Sequence, residues 1–321
     1  MTRVIGRSAL SLLIAALLGS TIVFGLLRSV GGDVALIILG DEASDEAYQA
    51  LRTELGLNDP WYVQYTDWIK GAVTGDLGTS YSARFDITEE IKRRMGPTIL
   101  LAFASFGLSA PLALMLGTYS AIHSKKLRGD VLDVASQLGI AVPAFWAGLI
   151  LVVVFGIRLG WFPTGGYTSP FEDLGQSVRR LVMPTLALSL GMTSVLTRYV
   201  RSAMLDVMGE DFIRTAMAKG RTRRGAALVH GVRNASVSLV TVGTLQLGSL
   251  MAGTVVIENV FVIPGIGRLL VTSVLGREVI VVQSLILVIL LLILVMNFLL
   301  DIAYVFIDPR IRDSQGGAAL V

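Results

Sequence analysis

Side chains able to do chemistry are few in this 321-residue chain, and they lie far apart. The two histidines, His123 and His230, flank polar loops and read as solvated interface residues. Glu258 and Asp301 fall toward the ends of apolar runs, where a satisfied polar contact accounts for them better than a proton relay. No HExxH or GxSxG pattern and no Ser/His/Asp set occurs within the apolar segments, which argues against a hydrolase in the membrane. No GxxxxGK[ST] pattern occurs either, so the chain does not itself cradle ATP phosphates. Gly265-Ile266-Gly267 follows Pro264 without a preceding strand and reads as a turn. The chain has no cysteine, which removes disulfides and thiol chemistry. These residues predict neither an enzyme nor a metal site nor a bound cofactor.

The stretch 210–235, EDFIRTAMAKGRTRRGAALVHGVRNA, is different in kind. It is polar and basic, and it lies between two long apolar runs. Phe212, Ile213, Ala216 and Met217 share one face of a short amphipathic helix by their spacing of i, i+1, i+4 and i+5. Gly220 stops that helix, and Arg221, Arg223 and Arg224 follow. A helix that shows an apolar face outside the bilayer needs a groove to fill. The segment therefore reads as a docking element for a cytosolic partner, with Phe212 and Ile213 supplying the adhesion.

The elements that must position this segment follow from composition. With 53% hydrophobic residues, 16% charged residues and a mean hydropathy of +0.70, the chain is too apolar for an ordinary soluble domain. The net charge of +3 does not point to nucleic acid, because the bases cluster beside apolar runs as membrane topology demands. A hydrocarbon core needs roughly 20 apolar residues per helix. Six segments qualify: 9–27, 98–122, 134–157, 181–200, 237–260 and 279–306. Arg3 and Arg7 precede the first, but it is long and no A-x-A-like site closes it, so it reads as an uncleaved anchor. Pro111 and Pro143 interrupt spans well inside the bilayer.

Lys125, Lys126 and Arg128 in one loop, and Arg214, Lys219, Arg221, Arg223, Arg224 and Arg233 in another, mark the cytoplasmic side, with Arg198 and Arg201 at the entrance of the second. Arg3, Arg7, Arg310 and Arg312 place both termini there. Residues 29–97 then face outward. This segment carries its own helical signals: Ala47, Leu51 and Leu55 at i, i+4 and i+8, Gly56 as a stop, and Pro60 opening a stretch with Trp61, Tyr65 and Trp68. It reads as a small cap over the channel mouth or as a contact surface for an extracytoplasmic partner.

Small residues recur on the fifth span: Gly243, Gly248, Ser249 and Gly253, with Ser249 and Gly253 forming one small-xxx-small pair. Two readings stay open. The span packs closely against the protein's own helices, or it faces a second subunit around a translocation path, with Thr244, Gln246, Ser249 and Gly253 along that path. An ion-coupled carrier would show more intramembrane charge and two related halves.

Several stretches, in order, resemble one family. RTAMAKGRTRRGAALVHGVRNA at 214–235 resembles the cytoplasmic EAA loop of ATP-binding-cassette (ABC) importer permeases, in the form found in the dipeptide/oligopeptide permease B subfamily. GDVALIILGDEASDEAYQALRTELGLNDPWYVQY at 32–65 and GDLGTSY at 75–81 resemble that subfamily's outer segment. AVPAFWAGLILVVVFGIRLGWFPTGGY at 141–167, ENVFVIPGIGRLL at 258–270 and DPRIR at 308–312 complete the likeness over nearly the whole chain. Arg214, Thr215 and Ala216 stand where the general pattern has Glu-Ala-Ala, a departure that peptide permeases share. Val34 stands where the family often has proline.

The resemblance implies an all-α, polytopic membrane protein with six transmembrane helices, the type I ABC importer permease fold and a small helical extracytoplasmic segment. It divides the chain into an anchor at 1–28, the outer segment at 29–97, a five-helix permease core at 98–307 with the coupling loop at 206–235, and a cytoplasmic tail at 308–321. It implies a bacterial inner-membrane permease, itself non-catalytic, most akin to importers of di- and oligopeptides. Nickel, glutathione or haem are alternative cargoes, and a stand-alone secondary transporter is the distant one. The implied partners are a homologous second permease, two cytosolic ATPase subunits, an extracytoplasmic substrate-binding protein and the surrounding lipid. ATP and magnesium would sit on the ATPase subunits. Asp211, Phe212, Ile213, Arg214, Thr215, Ala216, Met217, Ala218 and Lys219 would form the coupling helix, closed by Gly220 and Arg221.

Overall fold

The computed structural model describes residues 2–30, 33–40, 44–81 and 83–307, so the expected tail lies outside the described residues. Among them the chain is all-helical apart from one isolated bridge between Thr79 and Asp86.

Helix α1 (Thr2–Val30) exposes Leu13, Leu17 and Ile22 along an apolar surface suited to lipid. Three short helices follow in the outer segment: α2 (Val34–Leu39), α3 (Asp45–Glu54) and α4 (Trp61–Thr74). Side-chain caps start two of them. Asp33 accepts the Ala35 amide at 3.0 Å and Ser44 accepts the Ala47 amide at 3.3 Å, each satisfying a first-turn donor. Helix α3 stops before Gly56, where the Leu57 amide returns to the Arg52 carbonyl at 2.9 Å. Tyr65 and Trp68 of α4 pack on Phe24 of α1, with ring centroids 5.5 and 6.0 Å apart. The outer segment is thereby anchored to the first span, while Trp61 stays exposed.

The two longest helices, α5 (Ile87–Ile122) and α8 (Leu174–Gly209), each run 36 residues. At about 1.5 Å per residue they outreach a hydrocarbon core of about 30 Å. They begin earlier than the apolar runs because Asp86 and Asp173 cap them, accepting the amides of Glu89 at 3.0 Å and Gln176 at 2.9 Å. The expected third span is not one helix. It splits into α6 (Leu127–Ala141) and α7 (Ala144–Leu151), the latter continuing as a π-helical turn (Val152–Arg158), and the two parts meet at 98°. Pro143 lacks an amide hydrogen and forces Val142 into an extended conformation, which ends α6. Pro111, in contrast, is carried inside α5.

Five further helices complete the bundle: α9 (Asp211–Ala218), α10 (Arg223–Ala226, continuing as a π-helical turn, Ala227–Gly231) and α11 (Val232–Val260) through the basic loop, then α12 (Ile266–Leu275) and α13 (Val279–Ile307). Among the described residues four helices are long and apolar enough to cross a membrane, or five if the bent pair is one span. The remaining expected span, the fifth, lies in α11, whose apolar part is Leu245–Val260. Six spans are consistent with this architecture.

The core forms where α8 packs on α5, α7 and α11, around Leu101, Met183, Leu196, Leu247, Ile257 and Phe261. Small and hydroxylic residues let the backbones approach. Ser189 Oγ donates to the Ser105 carbonyl at 3.2 Å, and Ser109 Oγ to the Ser189 carbonyl at 3.3 Å.

Candidate functional site

The amphipathic segment at 211–219 does form a helix, α9, and it sits between α8 and α10. Its apolar face is divided. Ile213 (1% exposed) and Ala216 are buried with Val207 of α8 and Ala226 of α10, so they seat the helix on the protein's own bundle. Phe212 and Met217, at the flanks of that face, are each 43% exposed. The docking role expected of Ile213 is therefore corrected: its side chain holds α9 in place. Four residues spread over about 140° of helix circumference at 100° per residue, so one surface cannot cover them all.

The termination of α9 is a two-bond motif. The Arg221 amide donates to the Ala216 carbonyl at 3.2 Å and the Gly220 amide to the Met217 carbonyl at 2.9 Å. This places Gly220 at φ +87°, a left-handed conformation that favours glycine. Thr222 Oγ1 then accepts the Gly225 amide at 3.1 Å and starts the next turn. Arg214 lies 3.3 Å from Asp211 on an exposed surface, a pair of small energetic consequence. Arg214, Thr215, Ala218, Lys219 and Arg221 all face outward. The side chains of Arg223, His230 and Arg233 lie outside the described residues.

Behind the loop the bundle is cross-tied. Arg201 of α8 donates through Nε to Ser120 Oγ of α5 at 3.0 Å and lies 3.7 Å from Asp133 of α6. Ser120 Oγ donates in turn to the Gly129 carbonyl at 3.1 Å. Arg201, which sequence reasoning used only as a topology marker, thus joins three helices at the base of the coupling segment.

The residues expected along a translocation path do not act alike. Ser249 is exposed and Gln246 half-buried on α11. Gly253 faces the protein's own α8, where a Cβ would fall 2.6 Å from Leu188 Cδ1, so at that position the close-packing reading holds. The Thr244 side chain lies outside the described residues. Among the described residues no group of three His, Cys, Asp or Glu could hold a metal ion.

At the opposite end of the bundle two buried carboxyls brace α12. Glu258 accepts Thr98 Oγ1 at 2.6 Å and the Arg268 amide at 2.9 Å; Glu278 accepts Ser80 Oγ at 2.7 Å and the Tyr81 amide at 3.3 Å. Burial pushes the neighbouring Tyr81 phenol up from its ordinary value, and the Glu278 charge pushes it the same way. Thr98, Ser80 and Glu278 carried no signal in the sequence, since their partners are remote in the chain.

A bundle of membrane-length helices with a short helix, α9, set between two of them defines a multi-pass membrane protein. Residues 113–313 match the family of binding-protein-dependent transport system inner membrane components, and residues 1–102 match the N-terminal module of such membrane components. The chain belongs to this family: it is a non-catalytic permease subunit of an ABC importer, working with a substrate-binding protein and an ATPase. It is similar to a putative peptide transport system permease protein of Brucella abortus, 38% identical over 315 residues, covering 97% of this chain and 99% of that one. It is also similar to the oligopeptide transport system permease protein AppB of Bacillus subtilis, 36% identical over 96% of this chain and 98% of that one. A third relative is the glutathione transport system permease protein GsiC of Escherichia coli strain K12, 36% identical over 91% of this chain and 93% of that one. The stand-alone carrier gives way on the same finding.

Proposed function

We propose that this permease imports di- and oligopeptides, forming half of a translocation path with a homologous second permease and taking its drive from two cytosolic ATPase subunits through α9. Peptide cargo is supported by the names of the relatives; glutathione, the cargo named for one of them, is itself a tripeptide. Both termini and the loop containing α9 lie in the cytoplasm in this reading, as the basic residues of the short loops require. The chain binds no nucleotide of its own, and ATP and magnesium belong to the ATPase subunits. The one observation that carries the coupling role is the division of α9: the centre of its apolar face is locked into the bundle by Ile213 and Ala216, while the two flanks present Phe212 and Met217 outward. A helix held in this way can pass a push from a docked ATPase to α8 and α11. ATP supplies the switching energy by favouring one of two bundle states.

The test is capture of the ATPase by wild-type and variant permease at equal membrane levels. Fully burying a Phe is worth about 1.5–3 kcal/mol. Phe212 has less than half of its surface left to lose, so Phe212→Ala should weaken capture only about three- to nine-fold. Phe212→Asp should do worse, by placing an unpaired charge in an apolar groove. Undiminished capture with Phe212→Asp would remove α9 from the interface.

A further inference from the structure

The C-terminal end of α5 and the π-helical entry to α11 enclose a groove of about 410 Å³ that the coupling role leaves unused. Its walls include Leu114, Met115 and Leu228. Met115 of α5 is 67% exposed, and Leu228, within the coupling loop, is also exposed. Apolar surface of this kind at the end of a membrane span calls for an apolar occupant.

The mouth of the groove is cationic and aromatic. Tyr119 stacks on His123 with ring centroids 4.2 Å apart, an arrangement suited to the membrane–water boundary. His123 Nδ1 donates to the Tyr119 carbonyl at 2.8 Å, which fixes the ring against the helix end. Arg224 lines the groove and is exposed. Lys125 and Lys126, both exposed, follow His123 directly. No aspartate or glutamate is among the lining residues. Aliphatic walls below a carboxylate-free basic mouth complement a molecule with a hydrocarbon tail and an anionic head.

We propose that this groove binds an anionic phospholipid of the cytosolic leaflet, with an acyl chain against Leu114, Met115 and Leu228 and the phosphate on Arg224. The inference rests on the cytoplasmic orientation of this end argued above. A bound lipid would bridge α5 and the exit of the coupling loop, so its presence would stiffen the joint between the loop and the bundle. Basic clefts at the cytoplasmic ends of spans favour anionic headgroups through the same surface electrostatics that attract basic segments to the leaflet.

The complete importer, reconstituted in nanodiscs, can be labelled with photoactivatable phosphatidylglycerol and, separately, with phosphatidylcholine carrying the same chains. Phosphatidylglycerol should mark peptides from 114–123 and 224–232, and phosphatidylcholine several-fold less. Arg224→Gln should lower the phosphatidylglycerol signal about five-fold, the effect expected for one basic residue at an anionic surface, and Arg224→Lys should retain it. Met115→Trp, which fills the groove from an exposed position, should lower it by a second route. Excess inorganic phosphate should not compete. Equal labelling by the two lipids, an unchanged signal in Arg224→Gln, or crosslinks from a photoreactive residue at position 115 to another subunit would each overturn the proposal. Phosphatidylglycerol labelling that persists when ATPase capture by α9 has failed supports the lipid site and counts against the coupling role alone.

Discussion

Thr98 of α5 donates its hydroxyl to the Glu258 carboxyl of α11 at 2.6 Å and accepts the amide of Ile266 at 2.9 Å. Glu258 is fully buried, and its other oxygen accepts the amide of Arg268 at 2.9 Å. Helix α12 has no side-chain cap at Gly265, so Thr98 and Glu258 together cap its first turn from two other helices. The pair ties α5, α11 and α12 at one point.

Thr98→Val keeps the volume and removes both bonds, leaving buried groups unsatisfied, at a cost of about 1–3 kcal/mol. The melting temperature of the detergent-solubilised permease should fall accordingly. Glycine substitution provides an independent check. A Cβ at Gly267 would lie 2.4 Å from Val255 Cα, which cannot move without its backbone, and one at Gly265 would lie 2.3 Å from the Glu258 carboxyl. Both substitutions should therefore lower the melting temperature, Gly265→Ala by displacing the buried carboxyl of the clamp itself; an unchanged melting temperature in Gly265→Ala would reject this account of the clamp.

Gly220 stands at φ +87°, where a β-branched side chain is strained by about 1–3 kcal/mol. Gly220→Val should unwind the end of α9, leaving insertion intact and reducing substrate-stimulated ATP hydrolysis and uptake together. Full uptake in this variant would separate the helix terminus from coupling.

The cysteine-free background makes topology directly measurable. A membrane-impermeant thiol reagent applied to intact cells should label Asp45→Cys, on α3, and spare Ser124→Cys, in the loop after α5. Labelling of the second and not the first would invert the orientation.

Burial alone would raise the Asp33 carboxyl, but hydrogen bonds from Tyr48 and the Ala35 amide, with the Arg52 guanidinium beside it, hold it below the usual carboxylate range. Because the folded value is the lower one, the stabilisation is fully present above the ordinary carboxylate pKa of about 3.9 and is lost as pH falls through the depressed value. Amide protection in α2 and α3, taken relative to the intrinsic exchange rate at each pH, should fall over that acid window. In Asp33→Asn the protection should be lower from the start and lose this acid dependence; an identical protection profile in both proteins would show that Asp33 does not hold the cap.

Local interactions made part of this protein legible in its sequence. Apolar runs reveal spans because lipid satisfies no backbone hydrogen bond and each crossing must be a long helix. The stop at Gly220 follows from bonds reaching no further than five residues, and Gly56 is recognisable in the same way. The loop at 214–235 is a contiguous motif, so it could be read without a fold. Other features depend on what lies across an interface. The face shared by Phe212, Ile213, Ala216 and Met217 is a property of the helix, but only the positions of Val207 and Ala226 send Ile213 inward and leave Phe212 out. Gly253 could have faced a pore or a neighbour until Leu188 was placed against it. Pro143 signals a break, yet not its 98° angle. Thr98 meets Glu258 across 160 residues of chain. Such contacts are decided by the packing of whole helices, where burial and hydrogen-bond satisfaction are settled jointly by residues that carry no trace of one another in the linear order.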